Sequence, residues 1–88
     1  MANAFADKDK LHMWIYFREA VEAGVSMEEL AGVLFWKVKD MILKKNFSKY
    51  TGEQLKNFAA RISCLLPEAR KEGKNPETAL EQFLLEIF

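Results

Sequence analysis

The last twenty residues, 69–88, read ARKEGKNPETALEQFLLEIF and combine the end of one helix with the start of another. Arg70 and Lys71 suit the negative end of a helix, and Gly73 permits the left-handed conformation that commonly follows one. Asn75 can cap the next helix, whose first turn accepts Pro76 because no backbone donor is needed there. This stretch therefore predicts a sharp break between two helices.

The helix after this break must dock on the rest of the chain, because one of its faces is apolar. That face consists of Ala79, Leu80, Phe83, Leu84 and Ile87. A helix of about a dozen residues is marginal in water on its own, and most of its stability comes from packing such a face. We therefore expect it to close a bundle of helices.

A long core helix precedes the break. Thr51 followed by Gln54 is the signature of a capping box at its start. Apolar residues then recur at helical spacing: Leu55, Phe58, Ala59, Ile62, Leu65, Leu66 and Ala69. Pro67 lies inside this pattern, and its missing backbone bond predicts a kink there rather than an end.

The first amphipathic segment of the chain begins at Asp7 or Asp9, either of which can cap a helix, and ends near Gly24. Apolar residues wrap more than half of its surface. If Leu11, Trp14 and Ile15 face the bundle, then Met13, Tyr16 and Phe17 face partly outward. The periodicity leaves a second possibility open, in which steep helix crossings bury both sets.

The second segment begins at Ser26, and Glu29 completes a second predicted capping box. It ends at Lys44 and Lys45, which suit the negative end of a helix. Its apolar stripe consists of Leu30, Val33, Leu34, Val38, Met41 and Ile42. Phe35 and Trp36 lie off that stripe, which predicts a second aromatic surface directed away from the core.

These segments predict an all-α fold, a small antiparallel bundle of about four helices that spans residues 1–88 as a single domain. The helices starting at Ser26 and Thr51 form its centre. The chain has 88 residues, of which 50 % are apolar, and its 13 basic and 13 acidic side chains cancel. No apolar run approaches the roughly 20 residues of a membrane span, so a soluble, cytoplasmic protein is expected.

Catalytic and metal-binding chemistry is poorly represented in the sequence. A nucleophile and a base must converge in a pocket, but the chain holds one histidine and one cysteine, His12 and Cys64, on different helices. Cys64 is expected to be a small core residue. Asp7 and Asp9 are interpreted as charges at a helix start rather than metal ligands. No enzymatic activity, metal or cofactor is therefore expected.

The one uneven charge distribution lies in residues 37–61. This segment carries Lys37, Lys39, Lys44, Lys45, Lys49, Lys56 and Arg61 against Asp40 and Glu53. Such a patch supports an alternative function, a small helical nucleic-acid-binding domain, because phosphate contacts depend on clustered Lys and Arg. The absence of an overall positive charge favours protein partners over nucleic acid.

The order of the segments resembles a known family. The stretches GVLFWKVKDM at residues 32–41, EARKEG at 68–73 and ALEQFLL at 79–85 occur in the same order in the carboxyl-terminal helical domain of the delta subunit of the bacterial DNA polymerase III clamp loader. The likeness spans nearly the whole chain. Each stretch belongs to an amphipathic helix, so the order and punctuation carry the resemblance.

The resemblance implies a non-catalytic domain that packs in the pentameric collar of the clamp loader during DNA replication. Its partners would be the other subunits of the loader, of the gamma/tau and delta-prime types. The family's delta subunit is much longer, so we expect this chain to be excised from a longer protein, with residues 2–10 resembling the tail of a further helix and Met1 an introduced start. The predicted interface consists of Tyr16, Phe17, Phe35, Trp36 and Lys39.

Overall fold

The computed structural model describes residues 2–87, and α-helices account for most of that range. They are α1 (Ala2–Ala6), α2 (Lys10–Glu22), α3 (Met27–Leu43), α4 (Gly52–Lys71) and α5 (Pro76–Ile87). No strand occurs within residues 2–87. The predicted all-α class is confirmed, and α1 is a fifth helix within residues 2–10, where the resemblance implied the tail of a further helix. Met1 lies outside the described residues.

Local side-chain chemistry sets the helix boundaries. The Asp9 carboxylate accepts a hydrogen bond from the backbone N–H of His12 at 3.2 Å, so the predicted cap of α2 is Asp9 and not Asp7. Gly24 and Gly73 adopt positive φ values of 79° and 72° directly after α2 and α4. The backbone N–H of Glu77 donates to Asn75 Oδ1 at 2.8 Å, which confirms the predicted start of α5.

The central helices α3 and α4 both begin with a hydroxyl cap. Thr51 Oγ1 accepts a hydrogen bond from the Gln54 backbone N–H at 3.0 Å, and Gln54 Oε1 accepts one from the Thr51 N–H at 2.9 Å. The complete box predicted for α4 is therefore confirmed. Ser26 Oγ accepts from the Glu29 N–H at 3.2 Å, which is the first of the two bonds predicted for α3.

We expect Thr51→Ala to lower the free energy of unfolding by about 1 kcal/mol, because the Gln54 backbone N–H at the start of α4 loses its side-chain partner. That loss corresponds to a fall in Tm of about 4 to 8 °C for a domain of this size. Thermal unfolding followed by circular dichroism measures it. The matched control is Thr78→Ala, an exposed threonine in α5, and an equal fall in both variants would contradict the capping role.

The core forms where α3 and α4 pack against each other, with α5 closing one side and α1 the other. An ion pair between Glu28 and Arg70 joins the start of α3 to the end of α4, so the two helices run antiparallel. The predicted core face of α4 is confirmed at Leu55, Phe58, Ile62, Leu66 and Ala69, and that of α5 at Ala79, Leu80, Phe83 and Leu84. Helix α4 continues through Pro67.

A contact between Phe5 and Tyr50 attaches the short helix α1 to the bundle. The Tyr50 hydroxyl donates a hydrogen bond to the backbone carbonyl of Phe5 at 2.8 Å, and the two rings stack with centroids 5.4 Å apart. Phe58 meets both rings edge-on. Tyr50 lies in the connection between α3 and α4, and its side chain is 2 % exposed and belongs to the core.

Helix α2 turns inward the face that one of the two expected arrangements turned outward. Met13 and Phe17 are buried, whereas Leu11 and Ile15 are exposed. The prediction that Phe17 faces outward is therefore wrong, because its ring packs in the hydrophobic core between the helices. In this orientation Arg18 lies near two carboxylates of α5, those of Glu77 and Glu81, at 3.8 and 3.6 Å.

Candidate protein interface

One solvent-facing side of α3 combines aromatic, small and basic residues. Phe35, Trp36 and Lys39 follow Gly32 by three, four and seven positions, so the four residues share one face of the helix. The Trp36 side chain is 61 % exposed. Phe35 is half-buried, and the Lys39 ammonium lies 5.5 Å from the centroid of its ring. We call these four residues the α3 face.

A groove between α3 and α4 runs beside the α3 face. Its volume is about 260 Å³. Helix α3 contributes Ala31, Gly32 and Phe35 to its wall, and α4 contributes Ser63, Leu66 and Pro67. The ion pair of Glu28 with Arg70 bounds one end of this groove. The result is a mainly apolar surface depression with charge at its margin.

Large exposed apolar side chains lie in equal number on α2 and α3, with one more in the connection after α3 and one on α5. Within residues 3–87, the large exposed ones are Leu11, Ile15, Tyr16, Val33, Trp36, Leu43, Phe47 and Leu85. Val33, Trp36 and Leu43 lie on α3, and Phe47 follows in the connection to α4. Leu43 is 79 % exposed. Large apolar patches mark contacts with other macromolecules more often than scattered single residues do, so the aromatic Trp36 is the residue of this set that we consider further.

The structure brings together three of the five residues predicted for the interface. Phe35, Trp36 and Lys39 lie on the α3 face. Tyr16 is exposed but lines a separate depression between α1 and α2, near Asp7, Asp9 and His12. Phe17 is 0 % exposed and has no surface to offer a partner. The predicted residues that the structure brings together are therefore the three on α3.

Sequence reasoning missed Gly32 and the part of the groove that α4 supplies. A glycine inside a strongly amphipathic helix was the available signal, because glycine is unfavourable there relative to alanine. The α4 residues Ser63 and Pro67 gave no such signal. They join the site only because α4 packs antiparallel to α3.

Part of the basic segment is neutralised within the domain. Lys44 Nζ lies 3.3 Å from a carboxylate oxygen of Asp40. Arg61 pairs with Glu86, and its guanidinium stacks on the Phe83 ring at 4.9 Å from the centroid. These contacts leave the remaining lysines dispersed over α3, α4 and their connection rather than in a single cluster.

His12 and Cys64, the two residues weighed for catalysis, line different depressions of the surface. The backbone N–H of His12 donates to the Asp9 carboxylate and holds the pKa of that carboxyl below its ordinary value, and the ring Nδ1 lies 2.6 Å away. This is a helix cap with an added side-chain hydrogen bond. Cys64 is exposed on α4, so the expectation of a core cysteine is wrong. Among residues 2–87, no group of three or more His, Cys, Asp or Glu side chains is placed to hold a metal ion.

Comparison with protein-family models, with curated proteins and with solved structures finds no match to this chain. In the part of the chain that the structure describes, no helix has both the length and the apolar character of a membrane span.

Proposed function

We propose that this chain is a non-catalytic protein–protein assembly domain that binds a neighbouring subunit through the α3 face. The exposed Trp36 carries the proposal. Tryptophan has a large apolar surface, and it is among the residues that contribute most to protein interfaces when buried. On α3 it has Phe35 beside it and Lys39 one turn further along.

The assembly that we propose is the clamp loader of DNA polymerase III, in the bacterial cytoplasm. The support is the resemblance of residues 32–41, 68–73 and 79–85 to the collar domain of the delta subunit. In the structure these residues lie on α3, at the end of α4 and on α5. The partners would be loader subunits of the gamma/tau and delta-prime types.

Binding would work by removing aromatic surface from water. Burying a tryptophan or phenylalanine side chain contributes roughly 1.5 to 3 kcal/mol at usual values for apolar area. Lys39 lies at the margin of this surface, where a charge sets orientation and association rate more than affinity. The α3 face needs no group that changes protonation or forms a covalent bond.

We expect Trp36→Ala to weaken binding to the purified loader subunits by about tenfold or more, because an interface tryptophan typically contributes over 1 kcal/mol. Co-elution in size-exclusion chromatography and a titration measure the loss. The helical circular-dichroism signal and Tm stay at the wild-type values, since the side chain is exposed.

The matched control is Leu85→Ala, which removes an exposed apolar side chain from α5 and should leave binding unchanged. A Trp36→Ala chain that unfolds would place Trp36 in the core and contradict the proposal. Equal loss of binding in both variants would show that the contact is not centred on α3.

A second candidate function is a small helical nucleic-acid-binding domain that uses residues 37–61. One observation favours it: Phe47 is exposed in the connection between α3 and α4, near Lys45 and Lys49. Aromatic rings among basic residues can stack on bases. Fluorescence anisotropy with single- and double-stranded DNA separates the two functions, because phosphate contacts produce steep salt dependence and protein assembly does not require DNA.

A further inference from the structure

Gly32 lies in the interior of α3, where this domain has no evident need for a glycine. Glycine is less favourable than alanine inside a helix. Within residues 2–87 the residues with positive φ are Lys8, Gly24, Lys45 and Gly73, so backbone conformation does not require glycine at position 32. A Cβ atom built on Gly32 would meet no other atom within 4 Å. Packing within the domain does not require it either.

The missing side chain keeps the groove open. Gly32 lies on the wall opposite Ser63 and Pro67, and a side chain at position 32 would project into space that is now accessible from outside. The groove of about 260 Å³ exceeds the roughly 150 Å³ of a cavity that holds benzene, so it has room for one large apolar side chain. Small residues at a helix surface let a second helix approach closely.

The charges around the groove differ between its ends. Glu28 and Arg70 neutralise each other at one end. Toward the other end lie Lys39 on α3 and Lys56, which is seven positions before Ser63 and shares its face of α4. Within residues 2–87, no carboxylate lies within ion-pair distance of either lysine. This end of the groove is complementary to an acidic partner.

We propose that the groove receives a helix of the partner subunit, which crosses α3 at Gly32. The partner helix inserts one large apolar side chain between Gly32 and Pro67 and places carboxylates near Lys39 and Lys56. This inference rests on the proposed assembly function and specifies the chemistry of the partner surface. Trp36 then covers the crossing point from the solvent side of α3.

The first test fills the groove from within. Gly32→Ala and Gly32→Leu put a side chain into open space, so both variants should fold, and Tm should rise by about 4 to 8 °C for alanine because a helical glycine is removed. Binding to the purified gamma/tau-type and delta-prime-type subunits should weaken by about tenfold or more for leucine, as expected when a well-packed contact is overfilled. Binding should weaken less for alanine.

The control for helix stabilisation is Asn57→Ala, at an exposed position of α4 away from the groove. It should raise Tm and leave partner binding unchanged. A higher Tm in both the Gly32→Ala and Asn57→Ala variants, with weaker binding only in the Gly32 variants, supports the proposed crossing point.

The second test reverses the charge at the basic end. The double variant Lys39→Glu/Lys56→Glu should bind the same subunits about tenfold more weakly at low salt, and the difference should shrink as salt screens the charges. Lys49→Glu with Lys71→Glu makes the same change in net charge at exposed positions outside the groove and should bind like the wild type.

The outcomes separate the two proposals. Wild-type binding that survives both Gly32→Leu and the lysine reversal would overturn the groove assignment and leave the assembly function standing. A wild-type chain that binds none of the subunits would overturn both. A wild-type dimer in sedimentation equilibrium that Gly32→Leu dissociates would assign the groove to a second copy and overturn the partner assignment.

Discussion

We expect Phe17→Ala to lower the free energy of unfolding by about 3 to 5 kcal/mol, the usual cost of removing a buried phenylalanine side chain. Phe17 is 0 % exposed, and the Trp14 ring meets it edge-on at 5.8 Å between centroids. The total stability of a chain of 88 residues is roughly 4 to 13 kcal/mol at typical per-residue values, so this variant loses a large part of it. Chemical denaturation followed by circular dichroism measures the change.

The neighbouring Tyr16→Ala is the matched control for this variant. Tyr16 precedes Phe17 by one position and is exposed, so its removal should change the unfolding free energy by less than about 1 kcal/mol. Similar effects in the two variants would contradict the observed rotation of α2. A stable Phe17→Ala chain that no longer binds its partner would restore Phe17 to the interface.

The second large effect is a loss of stability at alkaline pH that depends on Tyr50. Burial raises the pKa of the Tyr50 phenol to about 12, from an ordinary value near 10. Between these two pH values the unfolded chain gives up the phenolic proton while the folded chain retains it. The stabilisation that the buried phenol gives the folded chain is therefore complete below pH 10 and is lost as the pH rises toward 12, and solvent screening keeps this loss below the roughly 3 kcal/mol that the full pKa difference allows.

Two variants isolate this effect, because the chain has two tyrosines. In Tyr16→Phe, absorbance at 295 nm reports Tyr50 alone, and its midpoint should lie near pH 12. Tyr50→Phe should lose about 1 kcal/mol at neutral pH with the hydrogen bond to Phe5, yet should lose less than the wild type between pH 10 and 12. A midpoint near pH 10 in Tyr16→Phe would show that the ring is solvated.

Helix ends were predictable from the sequence because they depend on residues close together in the chain. A cap at Asn75 needs an amide two positions away, and the box at Thr51 needs a residue three positions away. Gly24 and Gly73 mark the ends of α2 and α4 for a similarly local reason, since a left-handed residue strongly favours glycine. The core face of α4 was equally clear, because one face of that helix is apolar and the opposite face is polar.

The rotation of α2 was not predictable in the same way. Both Phe17 and Ile15 belong to apolar stripes of that helix, so periodicity alone gives no preference between them. The choice depends on α5, whose Glu77 and Glu81 meet Arg18, and on the shape of the core. Helix α1 has only five residues, too few for a periodic pattern. Its contact with the core runs through Phe5 and Tyr50, which are 45 positions apart in the sequence.

The candidate site was likewise predictable where its residues share one helix and not where they come from different helices. Trp36, Phe35 and Lys39 could be grouped from helical spacing on one element, and the structure places them on one face. Tyr16 was included because helical spacing placed it off one apolar stripe of α2, and it lies on a different part of the surface. The contribution of α4 to the groove required knowledge of how two helices pack.

The exposed Cys64 has a consequence for any measurement of self-association. It is the single cysteine of the chain, and it follows Ser63, a residue of the groove wall, directly on α4. Air oxidation can therefore join two chains through one disulfide but cannot form an internal one. Such a covalent pair would elute as a dimer whatever the noncovalent affinity between copies. A dimer that disappears on addition of a reductant reports thiol chemistry, not occupation of the groove.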